Sequence, residues 1–104
     1  MDYYGFDGYF FNQESFGCSA EIASRLDEMI RYMRAKCPDI LISWYDSMLP
    51  SGGVSYQNAV NSSNQRWMER SDDGSVGINE FFMNYNWFAG QISTTVSTMN
   101  SINR

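Results

Sequence analysis

The chain predicts an α/β fold in which parallel strands alternate with helices, on three observations. Stretches near 4–13, 40–45 and 78–85 are apolar on both faces, as strands covered on both sides must be. Segments with helical spacing of apolar residues separate and follow them. Polar residues end the strands at Glu14, Asp46 and about Asn84, at intervals of 32 and 38 residues. A (β/α)8 barrel of about 250 residues has roughly 31 per unit. The expected architecture is therefore a partial (β/α)8 TIM barrel of about three βα units.

The first strand is aromatic and free of proline, weakened slightly by Gly5 and Gly8. Gly17 to Ser19 breaks it, and Ser19 is a suitable N-cap with Glu21 in the first helical turn. Ile22, Leu26, Met29, Ile30 and Met33 form one helical stripe, and Pro38 stops it. The second strand, 40–45, leads into a Pro50-Ser51-Gly52-Gly53 loop. A helix is expected over 56–69, with Val60, Asn64, Trp67 and Met68 on one face. Ser71 to Gly74 is a turn before the third strand. The last helix is expected over 91–103, with Ile92, Val96, Met99 and Ile102 on one face. Three units alone would leave bare edge strands and an open barrel interior, so the chain is either a small open α/β sheet or a piece of a larger barrel, and the piece is the expectation.

The 104 residues imply one domain and one modest core. Twelve acids against seven bases, a net charge of −5, argue against a nucleic-acid partner, which needs a basic patch. No apolar run reaches the ~20 residues of a membrane span, and Met1-Asp2-Tyr3-Tyr4 does not open a signal peptide. The compartment is left open between cytoplasmic and extracellular. Cys18 and Cys37 sit at the two ends of the first helix, about 27 Å apart at 1.5 Å per residue, beyond disulfide reach. They are expected to be free thiols. With no histidine and two cysteines, no structural zinc is expected, and no other metal or cofactor is called for.

Side chains alternate along a strand, so Asn12 and Glu14 project from the same face at the end of Asp7-Gly8-Tyr9-Phe10-Phe11-Asn12-Gln13-Glu14. An amide beside a carboxylate suits an N-acetylated sugar, the amide holding the acetamido group while the carboxyl moves a proton. Tyr45 would join Glu14 at the same level of the barrel interior, with Asp46 following it. In the third strand Phe82 and Asn84 share one face, Phe81, Met83 and Tyr85 the other, and pattern does not say which points inward. Taken singly, each has a plainer reading: Glu14 as a solvated acid, Asn12 and Asp46 as partners of turn backbone, Tyr45 and Trp87 as packing.

Together, the first-strand segment, Ser43-Trp44-Tyr45-Asp46-Ser47-Met48, Tyr56-Gln57-Asn58 and Phe81-Phe82-Met83-Asn84-Tyr85-Asn86-Trp87 resemble the endo-β-N-acetylglucosaminidases of glycoside hydrolase family 85. The four segments stand in the family's order at about its spacing, over most of residues 4 to 88. The resemblance implies that 1–104 is a single fragment of a TIM-barrel catalytic domain, its fourth to sixth units. It implies an N-linked glycan or glycoprotein substrate, cut between the two core N-acetylglucosamines with retention. The substrate's own acetamide would be the nucleophile, through an oxazoline. By position, Glu14 resembles the general acid and base, Asn12 the residue that orients and polarises the acetamide, and Tyr45 a tyrosine that also contacts it. Tyr56 and Trp87 match positions where aromatics line the sugar site, and Asp46 and Asn84 bond sugar hydroxyls or position loops. An ordinary retaining glycosidase needs a second carboxylate about 5 Å from the acid; substrate assistance explains an amide at residue 12. The fragment alone is expected to be inactive. A carbohydrate-binding protein without catalysis, or an inactive truncated product, are the alternatives.

Overall fold

Strands β1 (Gly8–Phe11), β2 (Leu41–Tyr45) and β3 (Glu80–Phe82) pair in parallel in that order, with β2 central. Helices α1 (Ala20–Lys36) and α2 (Ala89–Ser101) follow β1 and β3. This computed structural model describes residues 4–104, and the reading of the opening Met1-Asp2-Tyr3 lies outside them. The partial α/β barrel is the observed fold, with each strand shorter than its expected range. At β3 the cause is local. The Asn79 side-chain oxygen accepts from Ile42 N–H at 2.7 Å and Ile78 N–H turns to the Trp67 carbonyl, so regular pairing starts at Glu80. Gly8 is required where it stands: a Cβ there would lie 1.8 Å from the Leu41 carbonyl oxygen.

Register divides the sheet into two faces. Phe11 stands beside Trp44 and Trp44 beside Phe81, while Phe10 stands beside Ser43 and Tyr45 beside Phe82. The Trp44 side carries the core. Trp44 and Ile42 are fully buried with Ala23 and Ile30 of α1, and the Trp44 and Trp67 rings lie 4.4 Å apart. The other face is open and aromatic. Phe10 and Phe82 pack at 5.1 Å yet each stays half exposed, as does Leu41. Phe82, rather than Phe81, therefore belongs to the face that a closed barrel would enclose.

α1 begins and ends where the sequence marks it. Ser19 Oγ accepts from Ile22 N–H at 3.3 Å, and Cys37 N–H closes the last turn on the Met33 carbonyl before Pro38. Both cysteines are free. Of the expected apolar stripe, Ile30 is buried and Leu26 and Met33 pack against the core, but Ile22 and Met29 are exposed, and the fully buried line runs through Ala23, Asp27, Ile30 and Arg31. Arg31 draws the helix round. Its Nε donates to Asp27 Oδ2 at 2.9 Å, Nη1 to the Glu69 and Ser75 carbonyls at 2.8 and 3.1 Å, and Nη2 to the Arg66 carbonyl at 3.1 Å. Arg66 also donates to Asp27 Oδ2, at 3.0 Å.

The expected helix over 56–69 does not form; only Gln65–Trp67 makes a 3-10 turn. Its asparagines take the backbone away from a helix. Asn64 Oδ1 accepts from Asn61 N–H, Asn61 Oδ1 from Ser63 N–H, and Asn58 sits at φ +57. Val60, Asn64, Trp67 and Met68 are nevertheless all buried. α2 starts two residues before its expected 91–103 range and presents a different face. Ile92 and Val96 are exposed, whereas Thr95 is buried with Oγ1 accepting from Val60 N–H at 2.8 Å. Met99 and Ile102 pack against the core. Among the described residues no helix is long and apolar enough to cross a membrane.

Arg31→Met would strip four hydrogen bonds and leave Asp27 short of a partner in a buried setting. It is expected to cost about 3–5 kcal/mol, and Arg31→Lys is expected to recover little, since one ammonium cannot serve that fan of acceptors. Denaturant unfolding of the three chains checks this; equal midpoints would remove the network from the account.

Candidate active site at the C-terminal strand ends

The last residues of β1 and β2 and the turn after β3 meet at one end of the sheet. Past Phe11, exposure still alternates: Asn12 and Glu14 are exposed while Phe11 and Gln13 are half buried. Gln13 is tied on the inner side, its carbonyl accepting from Ser47 Oγ and its amide donating to Cys18 Sγ at 3.4 Å. The chain thus stays extended enough to hold Glu14 over the open aromatic face.

Tyr56 O–H donates to Glu14 Oε1 at 2.5 Å. The Tyr56 ring meets Tyr45 edge-on at 6.1 Å, and Tyr45 packs in turn against Phe82 at 6.0 Å and Phe10 at 6.3 Å. Glu14, Tyr45 and Tyr56 are therefore one contiguous group. The hydrogen bond to the Glu14 carboxylate, with smaller effects of desolvation and of the Glu14 and Tyr45 charges, raises the Tyr56 pKa above its ordinary 10.0. Tyr56 stays a donor across the neutral range. Asn12 is exposed, lines a cleft with Ile22, Arg25, Leu26 and Met29 of α1, and is not brought together with Glu14, Tyr45 and Tyr56 by any hydrogen bond.

Asp46 is buried directly behind the group, 1% exposed. Its Oδ2 accepts from Asn58 N–H at 2.5 Å and its Oδ1 from Asn64 Nδ2 at 3.0 Å. Asn58 Oδ1 accepts from Asn84 Nδ2 at 3.1 Å, and Asn84 Oδ1 holds Asn86 N–H. Asp46 and Asn84 thus fasten the 56–64 loop to the ends of β2 and β3. Asn58, which stood in the Tyr56-Gln57-Asn58 segment without a role of its own, and Asn64, read only as a helix-face residue, are the hubs; Asn-rich sequence in a turn-forming stretch hinted at such backbone-bonding roles. Trp87 is 7% exposed and belongs to the core cluster, so its ring faces are packed rather than open to a sugar. Among the described residues no cluster of His, Cys, Asp and Glu could hold a metal ion.

Burial raises the Asp46 pKa from 3.8, opposed by the hydrogen bonds from Asn58, Asn64 and Gln57. A raised folded-state pKa means a stability contribution that is complete below about 3.8 and lost as pH climbs through the raised value. Relative to Asp46→Asn, which cannot ionise, the wild type is expected to gain stability as pH falls from neutral toward about 4. Thermal unfolding of both chains across that range checks it, and a pH-independent difference would contradict it.

A family model described as glycosyl hydrolase family 85 matches residues 1–104. The chain is 34% identical over 89 residues to the cytosolic endo-beta-N-acetylglucosaminidase of Gallus gallus and 32% identical over 87 residues to that of Danio rerio. These matches cover 82% and 80% of this chain, but 11% of each relative. The crystal structure of the Endo-D glycoside hydrolase domain from Streptococcus pneumoniae R6 superposes with a TM-score of 0.80 at 32% identity. It covers 97% of this chain and 17% of that one. The parallel βα units, the acid and tyrosines at their C-terminal ends, and a family match spanning residues 1–104 agree: the chain belongs to glycosyl hydrolase family 85.

Proposed function

We propose that this chain is a segment of an endo-β-N-acetylglucosaminidase catalytic barrel, 1–104 being one piece of that domain. The substrate is an N-linked glycan or glycoprotein, cleaved between its two core N-acetylglucosamines by a substrate-assisted, retaining route. The observation that carries the reading is the Tyr56 O–H to Glu14 Oε1 hydrogen bond at the C-terminal end of a parallel sheet, where barrel enzymes keep their chemistry. The compartment is cytoplasmic or extracellular; the first agrees with the vertebrate relatives' names.

In the first step the acetamide oxygen bonds to the anomeric carbon, the glycosidic C–O bond breaks, and the leaving oxygen takes the Glu14 proton. The ring so formed keeps the acetamide N–H proton as an oxazolinium ion; in the second step Glu14 as carboxylate takes a proton from water, whose oxygen bonds to the anomeric carbon as the ring C–O bond breaks and the acetamide is restored. Tyr56 occupies Oε1 as a donor, which leaves Oε2 to carry the travelling proton. Asn12 hydrogen-bonds the acetamide and holds its imidic form without competing as a base. Tyr45 adds a second contact to that group. Tyr56 and the half-exposed Phe10 and Phe82 offer surface for sugar C–H groups. Asp46 and Asn84 act by positioning, and Trp87 supports the floor from the core.

The isolated chain is expected to release no sugar, because β1 and β3 are edge strands and Glu14 is open to solvent. A test with a complete barrel replaces the matching stretch of the pneumococcal Endo-D domain with residues 1–104. That chimera is expected to hydrolyse a high-mannose glycopeptide, and Glu14→Gln in it to lower the rate by roughly 10²–10⁴-fold. Asn12→Asp is expected to change the balance between hydrolysis and use of a sugar oxazoline. A folded chimera whose activity survives Glu14→Gln would sink the reading, and one indifferent to Asn12→Asp would remove Asn12 from it.

A further inference from the structure

At the opposite, N-terminal end of the strands, a cleft of about 290 Å³ opens between the end of α1, the segment leading into β3, and the C-terminal end of the chain. Arg34, Arg70 and Arg104 line it, three of the chain's seven bases in a protein of net charge −5. Among the described residues none of the three pairs with an acid, whereas Arg25, Arg31 and Arg66 all do. Each spends one nitrogen on a backbone carbonyl: Arg34 on Gly77, Arg70 on Gly74 and Arg104 on Met99. These bonds fix the guanidinium groups and leave their other N–H groups unused. Arg34 Nε is buried with no partner. The fourth polar side chain is Asn79, whose oxygen already holds Ile42 N–H, so its NH2 is the free end. Met68 and Ile78 form apolar walls.

The one side-chain acceptor, Asn79 Oδ1, is already engaged, and no acidic side chain lines the cleft or pairs with its three arginines among the described residues. Desolvation, and then the charge of Arg70, lower the Arg34 pKa, as expected for cations crowded without a partner. A guanidinium fork matches the oxygens of a tetrahedral oxyanion in two-point fashion. We propose that this cleft is an anion site that binds a dianionic phosphate group, free or carried as a small phosphomonoester.

The test is isothermal titration of the 104-residue chain with inorganic phosphate, and separately with glycerol phosphate, at ionic strength matched by chloride. Saturable binding with a dissociation constant on the order of 1 mM is expected, raising the unfolding midpoint by about 6–10 °C at a ligand concentration ten times that constant. Arg70→Ser with Arg104→Ser, both at exposed positions, is expected to weaken binding at least tenfold while leaving the midpoint in chloride unchanged. Tighter binding of phosphate would mark the free ion as the ligand, and tighter binding of the ester a phosphorylated metabolite; either supports the site. Heats no larger than those of chloride, or full binding by the double variant, would overturn it.

Discussion

A buried carboxylate at the end of the central strand holds this end of the molecule together. Asp46 is shut away from solvent behind β2, yet it accepts a backbone N–H from Asn58 and an amide from Asn64. Desolvating a carboxylate is unfavourable unless such donors surround it, so the loop from 56 to 64 is bound to follow Asp46. That loop carries Tyr56 to Glu14, and through Asn58 it also catches Asn84 after β3. One buried charge therefore couples the ends of all three strands.

The same economy shows on the other side of the sheet. Asp27, Arg31 and Arg66 join α1 to the 66–75 segment by a web of charge-assisted bonds that end largely on backbone carbonyls. The two polar hubs sit at different ends of one apolar layer built on Ile42, Trp44 and Trp67. The layer gives cohesion, and the hubs fix where the irregular segments lie. The open aromatic face of Phe10, Tyr45 and Phe82 borders the Asp46 hub through Tyr56, and suits a surface enclosed by further strands.

Regular elements were legible because their signals are local. Doubly apolar stretches gave the three parallel strands, and Ser19 and Pro38 gave both ends of α1. Glu14 and Tyr56, read separately from distant segments, come together as a hydrogen-bonded pair. The failures have one cause, competition by polar side chains. Asparagines from 58 to 64 unmake a helix whose apolar spacing looked adequate, and α1 buries Asp27 and Arg31 while leaving the Ile22 and Met29 edge of its apolar stripe exposed. Thr95 does the same to α2 through Val60. An i, i+4 Asp–Arg pair and a dense Asn run were visible in the chain, but their burial depends on long-range partners that no window of sequence contains. Trp87 is a separate case, a residue after a strand that joins Trp44 and Trp67 in the core.

The backbone amide of Asn58 tests the central claim most directly. Observed by nitrogen-15 NMR on the folded chain, it is expected to resonate far downfield, exchange slowly with solvent, and move as Asp46 gains its proton. An Asn58 amide at an unstructured shift and in fast exchange would mean that the loop is not held by Asp46, and that the meeting of Tyr56 with Glu14 has some other cause.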